Sequence, residues 1–320
     1  MGDAPTTGAA EGRAAPSVAF VTVSYGPDRD RCRLLCRSMD ALAPAISDHV
    51  IIVDRADLPQ FRELESGRRR IVATEEVLPN RVWRLEMRRV GLHSNLFLHF
   101  GKPVRGWLVQ QLVKLAACRE VTADVIVHAD SDVALVRPFD AKSLVDAEGR
   151  VRLYRAPGCV DESLPAHVGW HRIAEQLLVL DPSPIPLPDY ITSLVVWRRE
   201  NAAALLDFLD RRFRRSWMRA ISSAWDFSEY ILYGRFVSDV LGETGAQFAT
   251  ESSLCRDYWG REPLSEAQIE DLLDGMSEDQ VGLSITAKAG MKPESYASQL
   301  ERHWAMAAAT TGALSTPARQ

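Results

Sequence analysis

The segment Asp124 to Phe139, DVIVHADSDVALVRPF, carries the strongest chemical signal in the chain. A short run rich in Val and Ile leads directly into Asp130, Ser131 and Asp132. In an extended chain residues i and i+2 point to the same side, so the two carboxylates offer their oxygens together. A hard divalent ion, Mn or Mg, is held by such oxygens with water and the oxygens of a diphosphate completing its shell. Bound there it acts as a Lewis acid and stabilises a diphosphate as it leaves. A DxD triplet is expected about once or twice by chance in a chain of this length and Asp content, and two occur. The other, Asp28 and Asp30, reads as a turn and helix start. Asp130 and Asp132 stand apart because a strand-like run precedes them and an apolar run with Pro138 follows.

Two further segments offer polar groups to the same chemistry. In RGWLVQQLVKLAA, Arg105 to Ala117, Leu108, Leu112 and Leu115 recur at helical spacing, leaving Gln110, Gln111 and Lys114 on the remaining face. Lys114 could reach a diphosphate oxygen or a donor group, with Gln110 one turn away. The plainer reading is a solvated helix face, and on either reading Lys114 is dispensable for folding. In WDFSEYILYGRF, Trp225 to Phe236, Asp226 and Glu229 are candidates for a general base or for the group facing a reacting carbon, framed by aromatic rings. Their spacing equally fits a capping pattern with Asp226 at the N-cap and Glu229 three residues on.

The elements that must position these residues alternate between strand and helix, the pattern of an α/β fold with a mostly parallel sheet. Short buried strands are expected at residues 18–23, 49–53, 70–73 and 124–128, later ones at 151–155 and 191–197. Helices are expected at 29–42, 105–120, 166–180, 199–217 and 226–241. The Pro-rich stretch Asp181 to Asp189 reads as a loop bordering a site. Residues 1–16 and 306–320 read as loose tails, 17–140 as a nucleotide-binding half and 141–305 as an acceptor-binding half of one domain.

Composition bounds the rest. A chain of 320 residues with 46% hydrophobic content can bury a large core without staples. A formal charge of -5, from 38 Lys and Arg against 43 Asp and Glu, argues against a protein that neutralises many nucleic-acid phosphates. The 5 cysteines form no CxxC pair, so neither a disulfide framework nor a structural zinc site is suggested and a reducing cytoplasm fits. No run approaches the length of a transmembrane helix, and the start lacks the apolar core of a secretory signal. The opening MGDAPT matches the loose N-myristoylation pattern, a match short enough to arise by chance.

RGWLVQQLVKLAA, VIVHADSDVALVRPF, YITSLVVWRRE and FSEYILYGRF, in this order, resemble a family of bacterial GT-A-type glycosyltransferases distantly similar to the glycogenin-like enzymes. The resemblance spans about Val18 to Met291. It implies a GT-A-like nucleotide-diphospho-sugar transferase fold, with a nucleotide-diphosphate sugar donor, UDP-linked by preference, and an unidentified acceptor. It passes metal and diphosphate binding to Asp130 and Asp132, and nucleotide contacts to Ser24 and Tyr25, with Asp54 as a lesser candidate. One departure is that the C-terminal histidine many such enzymes add to the metal shell has no recognisable setting; His303 reads as a helix-surface residue. His167 and His171, at i and i+4, read as lining or supporting an acceptor cleft. A non-catalytic nucleotide-sugar binder is the alternative. A phosphatase of the haloacid-dehalogenase type fits less well, wanting Thr or Val where Ala134 stands, and a nucleotidyltransferase lacks its basic phosphate loop in VTVSYGPDRD.

Overall fold

The structure is a computed structural model that describes residues 15–78, 83–84, 92–94, 103–214, 216–221, 224 and 226–314. The expected amino-terminal tail up to residue 14, Trp225 and residues 315–320 lie outside the described residues. In chain order, the first half supplies β1 (Val18–Val23), α1 (Arg29–Leu42), β2 (Asp48–Val53), β3 (Arg69–Ala73), α2 (Gly106–Ala116), β4 (Val125–Ala129) and β5 (Val133–Leu135). The second half supplies β6 (Val151–Tyr154), β7 (Ala156–Val160), α3 (Pro165–Leu178), β8 (Leu187–Asp189), β9 (Leu194–Arg198), α4 (Arg199–Phe213) and α5 (Glu229–Arg235). It closes with β10 (Gln247–Thr250), β11 (Cys255–Tyr258), β12 (Gly282–Ile285) and α6 (Ala297–Leu314).

The central sheet has the order β9-β4-β1-β2-β3. Its β1, β2, β3 and β4 pair in parallel, and β9 joins β4 antiparallel. Every one of these strands but the partly open β3 is nearly continuous in buried Val, Ile, Leu or Ala, because helices cover both faces. Alternation along β4 sorts the layers. Val125 and Val127 pack with Leu34 and Met39 of α1 and Leu300 of α6, while Ile126 packs with Leu112 of α2, Leu205 of α4 and Ile231 of α5. The chain is therefore an α/β protein with a mostly parallel central sheet between helices.

A smaller sheet in the order β11-β12-β5 carries the chain away from the DxD segment, with β12 antiparallel to β5. The Pro-rich stretch is not all loop. Its end, Leu187–Asp189, pairs with β7 in a two-stranded sheet, an edge position that tolerates the donor missing at Pro188. Two helical expectations shorten: α4 stops at Phe213 before a separate helix Trp217–Ile221, and α2 stops at Ala116 before a 3-10 turn. At the far end α6 continues to Leu314, so residues 306–314 extend a helix rather than form a loose tail. The Ala-rich run Ala305 to Ala309 explains it, since Ala is the strongest helix former. No helix among the described residues is long and apolar enough to cross a membrane.

Candidate functional site

Parallel strands end on a common edge, and three central ones deliver candidate residues there. Strand β1 hands over to Ser24 and Tyr25, β2 to Asp54 and β4 to Asp130. Ligands of open α/β sheets bind beyond the carboxyl ends of the strands. Ser24 is buried and its N–H donates to the Ile52 carbonyl at 3.0 Å, whereas Tyr25 is 38% exposed. The loop after β1 also reaches the DxD turn, because the Asp28 carboxylate accepts a hydrogen bond from Ser131 and pairs with Arg31 at 3.0 Å.

Asp130 and Asp132 leave the strand in a tight turn. The Asp130 N–H donates to the Ser193 carbonyl at 3.0 Å, and the Val133 N–H returns to the Asp130 carbonyl at 3.1 Å. Asp132 is held by the Ala287 N–H at 3.3 Å on one oxygen and faces the Ser284 hydroxyl at 3.5 Å with the other. Burial pushes the Asp132 carboxyl up to about 7, and the negative charges of Asp130 and Asp28 add to the rise.

Beside the DxD turn lies a buried charge cluster. Lys114 Nζ stands 2.9 Å from Asp130 Oδ1, 3.1 Å from Glu229 Oε1 and 2.8 Å from the Tyr230 hydroxyl, and 4.4 Å from the centroid of the Tyr230 ring. Burial works to lower the Lys114 pKa, yet the Asp130 and Glu229 carboxylates outweigh it and hold the ammonium well above its ordinary value. Burial pushes the Glu229 carboxyl up, and Lys114 pulls it back. With its amide nitrogen turned toward the carboxylate, Gln111 donates to Glu229 Oε1 at 3.0 Å. Beneath the cluster His128 is fully buried, and both its ring nitrogens lack a hydrogen-bond partner among the described residues. Its ring packs edge-on to Trp197 with centroids 4.4 Å apart, and burial followed by the charge of Lys114 keeps it neutral.

Several expectations need correction here. Lys114 is not on a solvated face: the residue is 8% exposed, because α5 covers the polar side of α2. Gln111, and not Gln110, is the glutamine that meets the cluster. Asp226 does not cap α5. Ser228 does, in an extended backbone with its hydroxyl accepting from the Ile231 N–H at 3.3 Å, which makes Glu229 the first helical residue. Asp226 is half-buried, and its Oδ1 has no partner among the described residues. His171 does not line a cleft with a free ring: it is buried, and its ring nitrogens meet the Pro188 carbonyl at 2.9 Å and Arg235 at 3.3 Å. His303 pairs with Glu270 at 3.0 Å, far along the chain from the DxD turn.

Other residues of the site carry no signal in the sequence. The Ser193 hydroxyl donates to the Ser284 hydroxyl at 3.1 Å, which in turn faces Asp132. Asp257 accepts from the Thr192 hydroxyl at 2.7 Å and from the Ser193 N–H at 3.3 Å. The segment YITS thus braces both acids of the DxD turn through contacts that no local spacing announces. Tyr230 was visible only as part of an aromatic frame.

Among the described residues no group of three or more His, Cys, Asp or Glu side chains is arranged to hold a metal ion by itself. The candidate donor set for a cation is the pair Asp130 and Asp132, with Asp28 adding negative field and one Asp130 oxygen already engaged by Lys114. Such a pair fits a small divalent ion, which ordinarily takes one or two carboxylates and fills its shell with water and substrate phosphates.

The fold and this edge define an α/β protein with an acidic turn at the carboxyl end of its central strands. The chain belongs to the Family of unknown function (DUF6492), whose family model matches residues 19–282. No curated protein matches it in sequence. Among solved structures it is similar to an active-site mutant of LgtC, at 10% identity and a TM-score of 0.46 over 89% of this chain and 95% of that one. It is similar to mouse xyloside xylosyltransferase 1 in its apo form, at 10% identity and 0.43 over 86% and 99%. It is also similar to the bifunctional glycosyltransferase WbbM in its apo structure, at 13% identity and 0.49 over 93% of this chain and 51% of that one. Likenesses of this size speak to neither substrate nor reaction.

Proposed function

We propose that this chain is a metal-dependent glycosyltransferase that moves a sugar from a nucleotide-diphosphate donor, UDP-linked by preference, onto an acceptor. The observation that carries the reading is the Asp130 and Asp132 pair at the carboxyl end of β4, braced from one side by Lys114 and from the other by Ser284 and the Ala287 N–H. A divalent ion held by these two carboxylates would supply Lewis-acid stabilisation to the departing diphosphate. Lys114 orients Asp130 and is itself anchored by Glu229. Ser24, Tyr25 and Asp54 lie on the same edge and are the candidates to line the nucleotide. Of the candidate acids Asp226 and Glu229, Glu229 is 1% exposed and tied to Lys114 and Gln111, so Asp226 is the one left as the candidate to act on the acceptor hydroxyl or the reacting carbon.

Titration calorimetry of UDP in manganese tests the reading. Asp132→Ala removes one of the two carboxylates and should abolish metal-dependent binding, while the fold survives because the residue lies in the turn between β4 and β5 rather than filling the core. Unchanged UDP affinity in manganese would overturn the assignment. A non-catalytic binder would show the same titration, yet release no free UDP from a pool of UDP-sugars offered with acceptors.

A further inference from the structure

One group of side chains near this edge has no part in the donor site. On α2, Trp107, Gln111 and Lys114 follow one another at i, i+4 and i+7 and so share a helix face. Lys114 and Gln111 meet the Glu229 carboxylate, whereas Trp107, about 10 Å further toward the helix start, meets a different partner. Its ring stacks on Trp170 of α3 with centroids 5.4 Å apart and planes 26° apart, and Trp170 stacks in turn on His167 at 4.8 Å and 29°. The three rings form a slab that is half-buried rather than sunk in the core.

The slab has a polar margin. Asp189, at the end of β8, accepts from the Tyr190 and Ile191 N–H groups at 2.8 and 3.1 Å, both on Oδ1. Its Oδ2 has no hydrogen-bond partner among the described residues. His167 Nδ1 lies 3.9 Å from Asp189, too far for a hydrogen bond, and has no hydrogen-bond partner among the described residues. Aromatic faces beside an acceptor oxygen match a particular ligand chemistry. The C–H faces of a pyranose lie against rings, and its hydroxyls donate to a carboxylate. A nucleotide fits worse, because the Asp189 charge opposes its phosphates.

Resting on the glycosyltransferase reading, we propose that Trp107, Trp170, His167 and Asp189 form the acceptor subsite, and that it binds a pyranose ring of a saccharide. The slab and the Lys114 cluster lie on one helix face. A sugar seated on the outer ring lies beside α2, about 10 Å along that helix from Lys114 and the Asp130 it holds. The subsite also gives His167 and Asp189 a shared role that their separate positions in the chain do not suggest.

Saturation-transfer difference NMR on the full chain tests this with methyl glucoside, methyl galactoside, methyl mannoside and methyl xyloside, each with and without UDP and manganese. At least one glycoside should receive saturation from the wild-type protein. Trp107→Leu and Asp189→Asn should each weaken that binding about tenfold or more, while manganese-dependent UDP affinity stays within about twofold of wild type. Trp107→Leu keeps apolar bulk and Asp189→Asn keeps the oxygen that accepts from the backbone, so one of the two serves if the other fails to fold. Binding of UDP with saturation reaching no glycoside, or with both variants binding glycoside as wild type does, overturns the subsite and leaves the donor reading standing. Glycoside binding lost in the variants from a protein that binds no UDP keeps the saccharide subsite and sinks the transferase reading.

Discussion

Lys114→Met tests whether the charge cluster holds the fold as well as the site. The substitution keeps most of the aliphatic stem and removes the ammonium. What remains is asymmetric. Asp130 has a side chain 30% exposed and can turn to water, but Glu229 is 1% exposed and keeps the Gln111 amide and its own backbone N–H, with no other cation to replace Lys114 among the described residues. Removing one partner of a buried ion pair costs about 3–5 kcal/mol, because the other charge stays buried and uncompensated. At roughly 2 °C per kcal/mol for a chain of this size, the melting temperature should drop by roughly 6–10 °C. Neutralising the orphan should recover much of the loss, so Lys114→Met combined with Glu229→Gln should be more stable than Lys114→Met alone by about 2 kcal/mol. Urea unfolding followed by far-ultraviolet circular dichroism measures all three variants with the wild type. A Lys114→Met protein within about 1 kcal/mol of wild type would refute the reasoning and restore the solvated-face reading.

Two further outcomes follow from other parts of the structure. Asp226→Asn should leave stability and UDP affinity near wild type and lower sugar-transfer turnover on the order of a hundredfold, as neutralising a reacting carboxylate does; turnover near wild type would move the reacting acid elsewhere. His49 is fully buried with Arg69 donating to its Nδ1 at 3.1 Å, and burial, followed by the Arg69 charge, lowers its pKa to about 3. The unfolded imidazole takes a proton below about 6.5 while the folded one stays neutral until about 3, so stability is present above that window and falls as the pH drops through it. By pH 5 the loss should reach about 2 kcal/mol, and urea unfolding of His49→Gln should lack that component; parallel curves for the two proteins between pH 6.5 and 5 would exclude this histidine as the source.

What could be read in advance divides by the range of the interaction. Strand β4 and the turn after it were legible because period, β-branching and the two acids all lie within one segment, and the same locality announced α2 through Leu108, Leu112 and Leu115. Local spacing failed where a choice among neighbours is made by something distant. Asp226 and Ser228 both suit an N-cap, and Ser228 takes the role because the chain is extended there and its hydroxyl meets Ile231. The bracing of Asp132 joins residues 91 positions apart through Ser193 and Ser284, a contact fixed by the pairing of β12 with β5 and of β9 with β4. Lys114 shows the limit most clearly. By helical periodicity it belongs to the polar side of α2, and it does lie there. That side is covered by α5, whose first residue is a buried glutamate, so the position with every local mark of a solvated lysine becomes a buried cation between two carboxylates. Its charge is then explained by its partners and not by exposure, and the partners include an acid of the DxD turn. A neutral residue at position 114 would leave Glu229 and Asp130 facing one another across the same space, which is why the cluster and the acidic turn have to be understood as one electrostatic unit.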